Sequence, residues 1–257
     1  MKPVARFSAF LAGAPLRSIA VALVSLHLAM PASAATLDDL LNATKLGDAG
    51  EVAQLVARGM DPNSTDESGN TLLILAAREE QPKVVAELVR QRGIKLDARN
   101  AAGDSAMMLA SLRGYTGIVE QLLKAGAAFD HDGWNPLLYA AFEGRTAIVE
   151  LLLAKGANPN ARDNDGNTAL IYAAQVGFDD GVRILIAAHA QVDITNRSGE
   201  TALIKAVQAQ AVDLAQSLDR AHEDRDEARA ESKTSLKARR EAESERDQAR
   251  RELATAK

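Results

Sequence analysis

A nine-residue pattern returns five times at nearly fixed spacing, and no other feature of this 257-residue sequence constrains the fold as tightly. Its first copies are Gly69-Asn70-Thr71-Leu72-Leu73-Ile74-Leu75-Ala76-Ala77 and Gly103-Asp104-Ser105-Ala106-Met107-Met108-Leu109-Ala110-Ser111. Gly133-Trp134-Asn135-Pro136-Leu137-Leu138-Tyr139-Ala140-Ala141 follows, then Gly166-Asn167-Thr168-Ala169-Leu170-Ile171-Tyr172-Ala173-Ala174 and Gly199-Glu200-Thr201-Ala202-Leu203-Ile204-Lys205-Ala206-Val207. The leading glycines lie 34, 30, 33 and 33 residues apart. A unit this short cannot bury its own apolar face, so its neighbours must do so, and a stack of units is required.

Each position in the pattern has a physical reason. The third residue (Thr71, Ser105, Asn135, Thr168 or Thr201) carries a side-chain oxygen that caps a helix N-terminus by accepting from its free amides. Behind it, Leu73, Met107, Leu137, Leu170 and Leu203 start an apolar stripe that Ala76, Ala110, Ala140, Ala173 and Ala206 continue three residues on. Alanine at that place lets adjacent helices approach closely. A second helix is predicted after each first one, carrying Val84-Val85 with Leu88, Ile118-Val119 with Leu122, Ile148-Val149 with Leu152, and Val182 with Leu185. Gly93, Gly126 and Gly156 stand where left-handed caps end these helices, and Gly114, Gly144 and Gly177 mark the turns within each pair.

The segments resemble ankyrin repeats. Gly156-Ala157-Asn158-Pro159-Asn160-Ala161-Arg162-Asp163-Asn164-Asp165-Gly166-Asn167-Thr168 follows that family's pattern almost letter for letter, and a degenerate copy (Leu46-Gly47-Asp48, then Val52 to Gly59) precedes the five. The expected fold is therefore all-α: an ankyrin-repeat solenoid of about six helix-turn-helix units with hairpin-like loops over residues 35–218, followed by a long charged helix. The chain departs from the family in two ways. The family histidine that ties neighbouring loops is replaced by Ile74, Met108, Leu138, Ile171 and Ile204, which shifts the burden to apolar packing, as in bacterial members. Gly126 also lies only seven residues before Gly133, where the equivalent glycine pairs are ten apart, so this loop is expected to be short or misshapen.

The ends follow from the stack. Terminal units of a solenoid need polar outer surfaces, and Asp38-Asp39 supplies one at the start; Leu214 and Leu218 occupy second-helix positions of the last copy, with His222 where a stopping glycine would stand, so the helix is expected to run on. Residues 219–257 hold 11 acids and 11 bases, with Leu236 and Leu253 the only large apolar side chains. Ala221, Ala228, Ser235, Ala242 and Ala249 recur every seven residues, but the partner seam includes Arg225, Ser232, Arg239 and Arg246. Such a seam leaves two readings: a solvated single helix, or a weak coiled coil that self-associates or docks on another helix.

Residues 1–34 read as a secretory signal peptide. Lys2, Arg6 and Arg17 form a basic start, Ile19–Met30 is a weakly polar-to-apolar run too short to span a bilayer, and Ala32-Ser33-Ala34 is a small-x-small cleavage site, with cutting expected after Ala34. Export to the periplasm, or secretion, is the expected fate, with no membrane attachment after cleavage. The leader carries three bases and no acid, so its loss takes the net charge from −5 to −8, all of it on residues 35–218. An acidic body is a poor match for phosphate backbones, which excludes nucleic acid as the expected partner. The chain has no cysteine, which removes disulfides and thiolate chemistry.

The remaining motifs point to no catalytic machinery, cofactor or metal. Asp130-His131-Asp132 lacks the three or four converging ligands a metal site needs, so His131 is expected on a solvated fingertip. Ser105 is a helix cap with no histidine paired to it, and no phosphate loop or zinc-helix motif occurs. His189 replaces a capping glycine.

The resemblance implies instead a non-enzymatic scaffold that binds another protein along the concave face, or, in a rival reading, a secreted effector or toxin-neutralising protein acting on another cell. Carried over position by position, it points to loop tips at Glu67, Ser68, Asn70, Ala101, Ala102, Asp104, His131, Asp132, Trp134, Asn164, Asp165 and Asn167. On the first helices it points to Arg78, Glu79, Leu112, Arg113, Phe142, Glu143, Gln175 and Val176. Trp134, the only tryptophan, either forms an exposed hot spot with Phe142 or packs over the shortened loop to replace its lost contacts. Tyr139 and Tyr172, equivalent on successive copies, are expected to stack within the core.

Overall fold

The computed structural model describes residues 35–255, so the expected leader and its cleavage site lie outside the described residues. Within them the chain forms six helix pairs: α1 (Leu37–Leu46) and α2 (Ala49–Ala57), α3 (Leu72–Arg78) and α4 (Pro82–Leu88), α5 (Ala106–Arg113) and α6 (Thr116–Ala125), α7 (Pro136–Phe142) and α8 (Thr146–Ala154), α9 (Ala169–Gln175) and α10 (Asp179–Ala187), and α11 (Ala202–Gln208) with α12 (Val212–Thr255). First helices pack on first helices along one layer, α3 on α5, α7, α9 and α11 in turn, and second helices pack along the other. A single apolar cluster runs unbroken from Leu40 to Leu218.

The caps form as the residue types require. The hydroxyls of Thr71, Ser105, Thr168 and Thr201 and the Asn135 side-chain carbonyl accept from Ile74, Met108, Ile171, Ile204 and Leu138 amides at 3.0–3.4 Å. The alanines at the helix contacts, Ala76, Ala110, Ala140, Ala173 and Ala206, are fully buried, and so are Leu88, Leu122, Leu152 and Leu185 on the second helices. Gly126 ends α6 at φ 90°, a conformation that Cβ-bearing residues rarely adopt, and His189 takes the same left-handed region at φ 62° in the last such cap.

The two ends differ. At the start, Asp38, Asp39 and Asn42 are exposed and form the polar outer surface expected. At the other end the polar closure is incomplete: Ile204 and Val207 on α11 remain exposed, whereas their counterparts in the inner repeats are buried. The last second helix does run on, as one helix from Val212 to Thr255. Leu214 and Leu218 anchor it in the core, and Arg225 forms a 2.6 Å ion pair with Asp193 of the repeat body.

Candidate protein-binding surface

The five loops between units project as fingers, and four share one design. In each, the backbone amide of Asp66, Asn100, Asp163 or Asn196 donates to the carbonyl four residues on, at 3.0 Å, and the same residue's side-chain oxygen accepts from amides of the tip. Adjacent fingers are tied by rungs. At the base, the amides of Lys95, Ala128 and Gln191 donate to Asn63, Asp97 and Asn160 of the preceding finger at 2.7–2.8 Å. Nearer the tips, the Asn100 side-chain amide donates to Asn70 and that of Asn196 to Asn167, at 2.9 and 3.0 Å.

The third finger cannot take part fully. Asp130 lies four residues after Gly126, the register of Asn63, Asp97 and Asn160, and also three before Gly133, the register of Asp66 and Asn100. The missing three residues collapse two roles onto one side chain. Among the described residues, Asp130 forms neither the backbone pair that closes the other fingers nor the base rung to the next one.

Aromatic side chains fill the gap. Trp134 occupies the place of the rung residues Asn70 and Asn167, and its ring lies between Tyr139 (centroids 4.7 Å) and Tyr172 (4.9 Å). Phe142 meets Trp134 and Tyr172 edge-on at 6.2 and 5.5 Å. The Tyr139 hydroxyl donates to Asp104 of the second finger at 2.8 Å and so stands in for the missing amide rung on that side, whereas that of Tyr172 donates to Asp163 within its own repeat. Burial, reinforced by these acceptor carboxylates, pushes both phenols well above their ordinary pKa. The two tyrosines therefore stack on Trp134 and not on each other, and Tyr139 and Trp134 are half-buried at the surface, not within the core as Tyr139 was expected to be.

Trp134 packs between Tyr139 and Tyr172 behind the short finger, and both it and Phe142 remain half-buried. Around it, Asp132, Glu143, Arg113, Asn164, Asp165 and Gln175 are exposed. His131 is half-buried rather than a solvated tip, with Nδ1 3.2 Å from the Asp132 carbonyl. Arg78 and Glu79 pair with one another at 2.9 Å, and Asn167 is engaged in the rungs, as are Asn70 and, through Tyr139, Asp104. The sequence reading placed Tyr139 and Tyr172 within the core, where Tyr172 is indeed buried, and it missed the packing of both on Trp134. The signal is that Tyr139 lies about one turn behind the truncated finger and Tyr172 holds the same place in the next repeat, which becomes informative only once Trp134 is seen to need partners.

Among the described residues, no three His, Asp or Glu side chains converge as a metal site, and no helix is long and apolar enough to cross a membrane. A family model described as ankyrin repeats (3 copies) matches residues 40–132, 93–163 and 158–226. The chain belongs to the ankyrin-repeat family. Ankyrin-repeat domains are typically non-catalytic binding modules, and this one is a scaffold of the protein-binding kind. Over 83 residues it is 40% identical to NF-kappa-B inhibitor alpha of Sus scrofa, covering 30% of this chain and 26% of that protein. Over 94 residues it is 38% identical to the glycerophosphocholine phosphodiesterase gde1 of Schizosaccharomyces pombe, covering 34% of this chain and 8% of that one. The ankyrin-repeat chain thus spans about a quarter or less of these relatives. Among solved structures, the ankyrin repeat domain of Bcl-3, of the IkappaB protein family, superposes with a TM-score of 0.63 at 30% identity, over 69% of this chain and 81% of that one. So does a chain from the complex of the Bd0816 predatory endopeptidase of Bdellovibrio bacteriovorus with immunity protein Bd3460, with a TM-score of 0.63 at 29% identity over 70% and 96%.

Proposed function

We propose that this ankyrin-repeat protein is an exported, non-enzymatic scaffold that holds a folded partner protein against its concave face, in the periplasm or outside the cell. The observation that carries this reading is the aromatic group at mid-stack, with Trp134 and Phe142 half-buried and ringed by the exposed Asp132, Glu143, Asp165 and Gln175. Aromatic anchors surrounded by polar groups dominate protein-protein binding energy, and the excess negative charge of residues 35–218 favours a partner with a basic face. Trp134 also seals the third finger, so its truncation tests binding only beside a folding control. Pull-down from a periplasmic extract is expected to recover a partner with the wild type and to lose it with Phe142→Ala combined with Glu143→Lys and Asp165→Lys, at unchanged helical signal. Equal recovery by both proteins contradicts the reading.

The immunity protein among the structural neighbours favours a second, narrower reading, since this chain covers 96% of the matching chain. Here the partner is an exported endopeptidase, and binding silences it. Added in excess to a periplasmic extract, the purified protein is then expected to depress endopeptidase activity; unchanged activity removes this reading and leaves the broader one standing.

A further inference from the structure

The uncovered side of the last repeat is a copy of the stacking face used throughout the molecule. In the inner repeats, the positions equivalent to Ile204 and Val207 are Ile74 and Ala77, Met108 and Ser111, Leu138 and Ala141, Ile171 and Ala174, and every one is buried beneath the following unit. Ile204 is 40% exposed and Val207 62% exposed. A purely solvent-facing last repeat would carry polar side chains here, as the first repeat does with Asp39 and Asn42.

The tail closes only half of this end. Arg225 forms an ion pair at 2.6 Å with Asp193, which stands in the register of the base-rung residues Asn63, Asp97 and Asn160. Leu214 and Leu218 fill the second-helix layer. On the first-helix side, a polar group formed by Glu200, Lys205 and Gln208 borders the opening, and Ile204 and Val207 remain exposed among the described residues.

We infer that a second copy of this chain covers that face, joining two stacks end to end through their last repeats. The surface is continuous with the repeat-repeat interface and is therefore already shaped to receive a flat helical layer. Head-to-tail stacking on the first repeat of another copy would set Ile204 and Val207 against the exposed carboxylates of Asp38 and Asp39, burying both charges with no cation beside them and with only Thr36 hydrogen-bonded to Asp39. The same face on a second copy meets it as like on like, the isologous contact that closes a two-fold dimer. The tail favours one arrangement of that dimer. Residues 219–232 carry net −3 and residues 233–257 net +3, so antiparallel tails set acid against base, whereas parallel tails set like charges together.

Light scattering on residues 35–257 at tens of micromolar tests this. The wild type is expected to run at twice the mass of one chain, Ile204→Glu with Val207→Glu at the mass of one, and Leu46→Glu at the opposite end at twice the mass. All three positions are solvent-exposed, and circular dichroism checks that each variant keeps its helices. A wild type at the mass of one chain overturns the inference, and so does a dimer that survives the double substitution.

Discussion

Leu170 and the two tyrosines beside Trp134 show how differently single side chains hold this stack. Leu170 is fully buried where α9 meets its neighbours, and Leu170→Ala removes both transfer energy and packing, so urea unfolding should show a loss of about 2–5 kcal/mol. A change below about 1 kcal/mol contradicts its place in the core. Tyr139 and Tyr172 act through polarity. Their phenols are raised above the ordinary value of 10.0, so what they contribute is fully present below pH 10 and is lost as pH climbs toward the folded value. Absorbance titration should show these two phenols still protonated past pH 10, ionising together with the shift in Trp134 fluorescence that marks loss of the cluster. Ionisation of Tyr139 and Tyr172 near pH 10 with Trp134 undisturbed contradicts the hydroxyl-carboxylate bonds.

At the scale of elements, the helices were legible because their signals are local. A cap, an apolar stripe and a stopping glycine lie within a dozen residues of one another, and Thr71, Ser105, Asn135, Thr168 and Thr201 all accept where the sequence places them. The shortened third finger was legible too, as a spacing between Gly126 and Gly133. What fills it was not. Trp134 meets Tyr172 from the next repeat, and Asp104 meets Tyr139 from the next, contacts that depend on how finished units stack. The same holds at the C-terminal end, where Asp193 and Arg225 are far apart in sequence and the exposure of Ile204 depends on what fails to follow it. Glu200 borders that end, and its ion pair with Lys205, with help from Asn196 and Gln208, lowers its pKa to about 2 from 4.5. Its contribution is present above pH 4.5 and disappears as pH falls toward 2. Glu200→Gln should therefore remove an acid-side slope in the stability of the last repeat, read by amide exchange of α11, while leaving α5 unchanged. Equal acid sensitivity in both proteins contradicts the pairing.

The whole molecule is a linear array in which each unit touches only its neighbours, so stability sums over interfaces and the tail lies outside that sum beyond Arg225. Deleting residues 233–257 should lower the helical signal and leave the melting temperature of the repeats unchanged. The 44-residue α12 is about 66 Å long at 1.5 Å per residue, and its ion pairs, Lys237 with Glu241 and Arg239 with Glu243, each add only a few tenths of a kcal/mol, about 0.2–0.5. The central claim concerns the flank of this array that faces a partner. A photo-crosslinking residue placed in cells at Gln175, exposed on a first helix, or at Glu150, exposed on a second helix, tests it most directly. The account predicts a discrete crosslinked protein from Gln175 and none from Glu150; the same adduct from both sites, or from Glu150 alone, contradicts it.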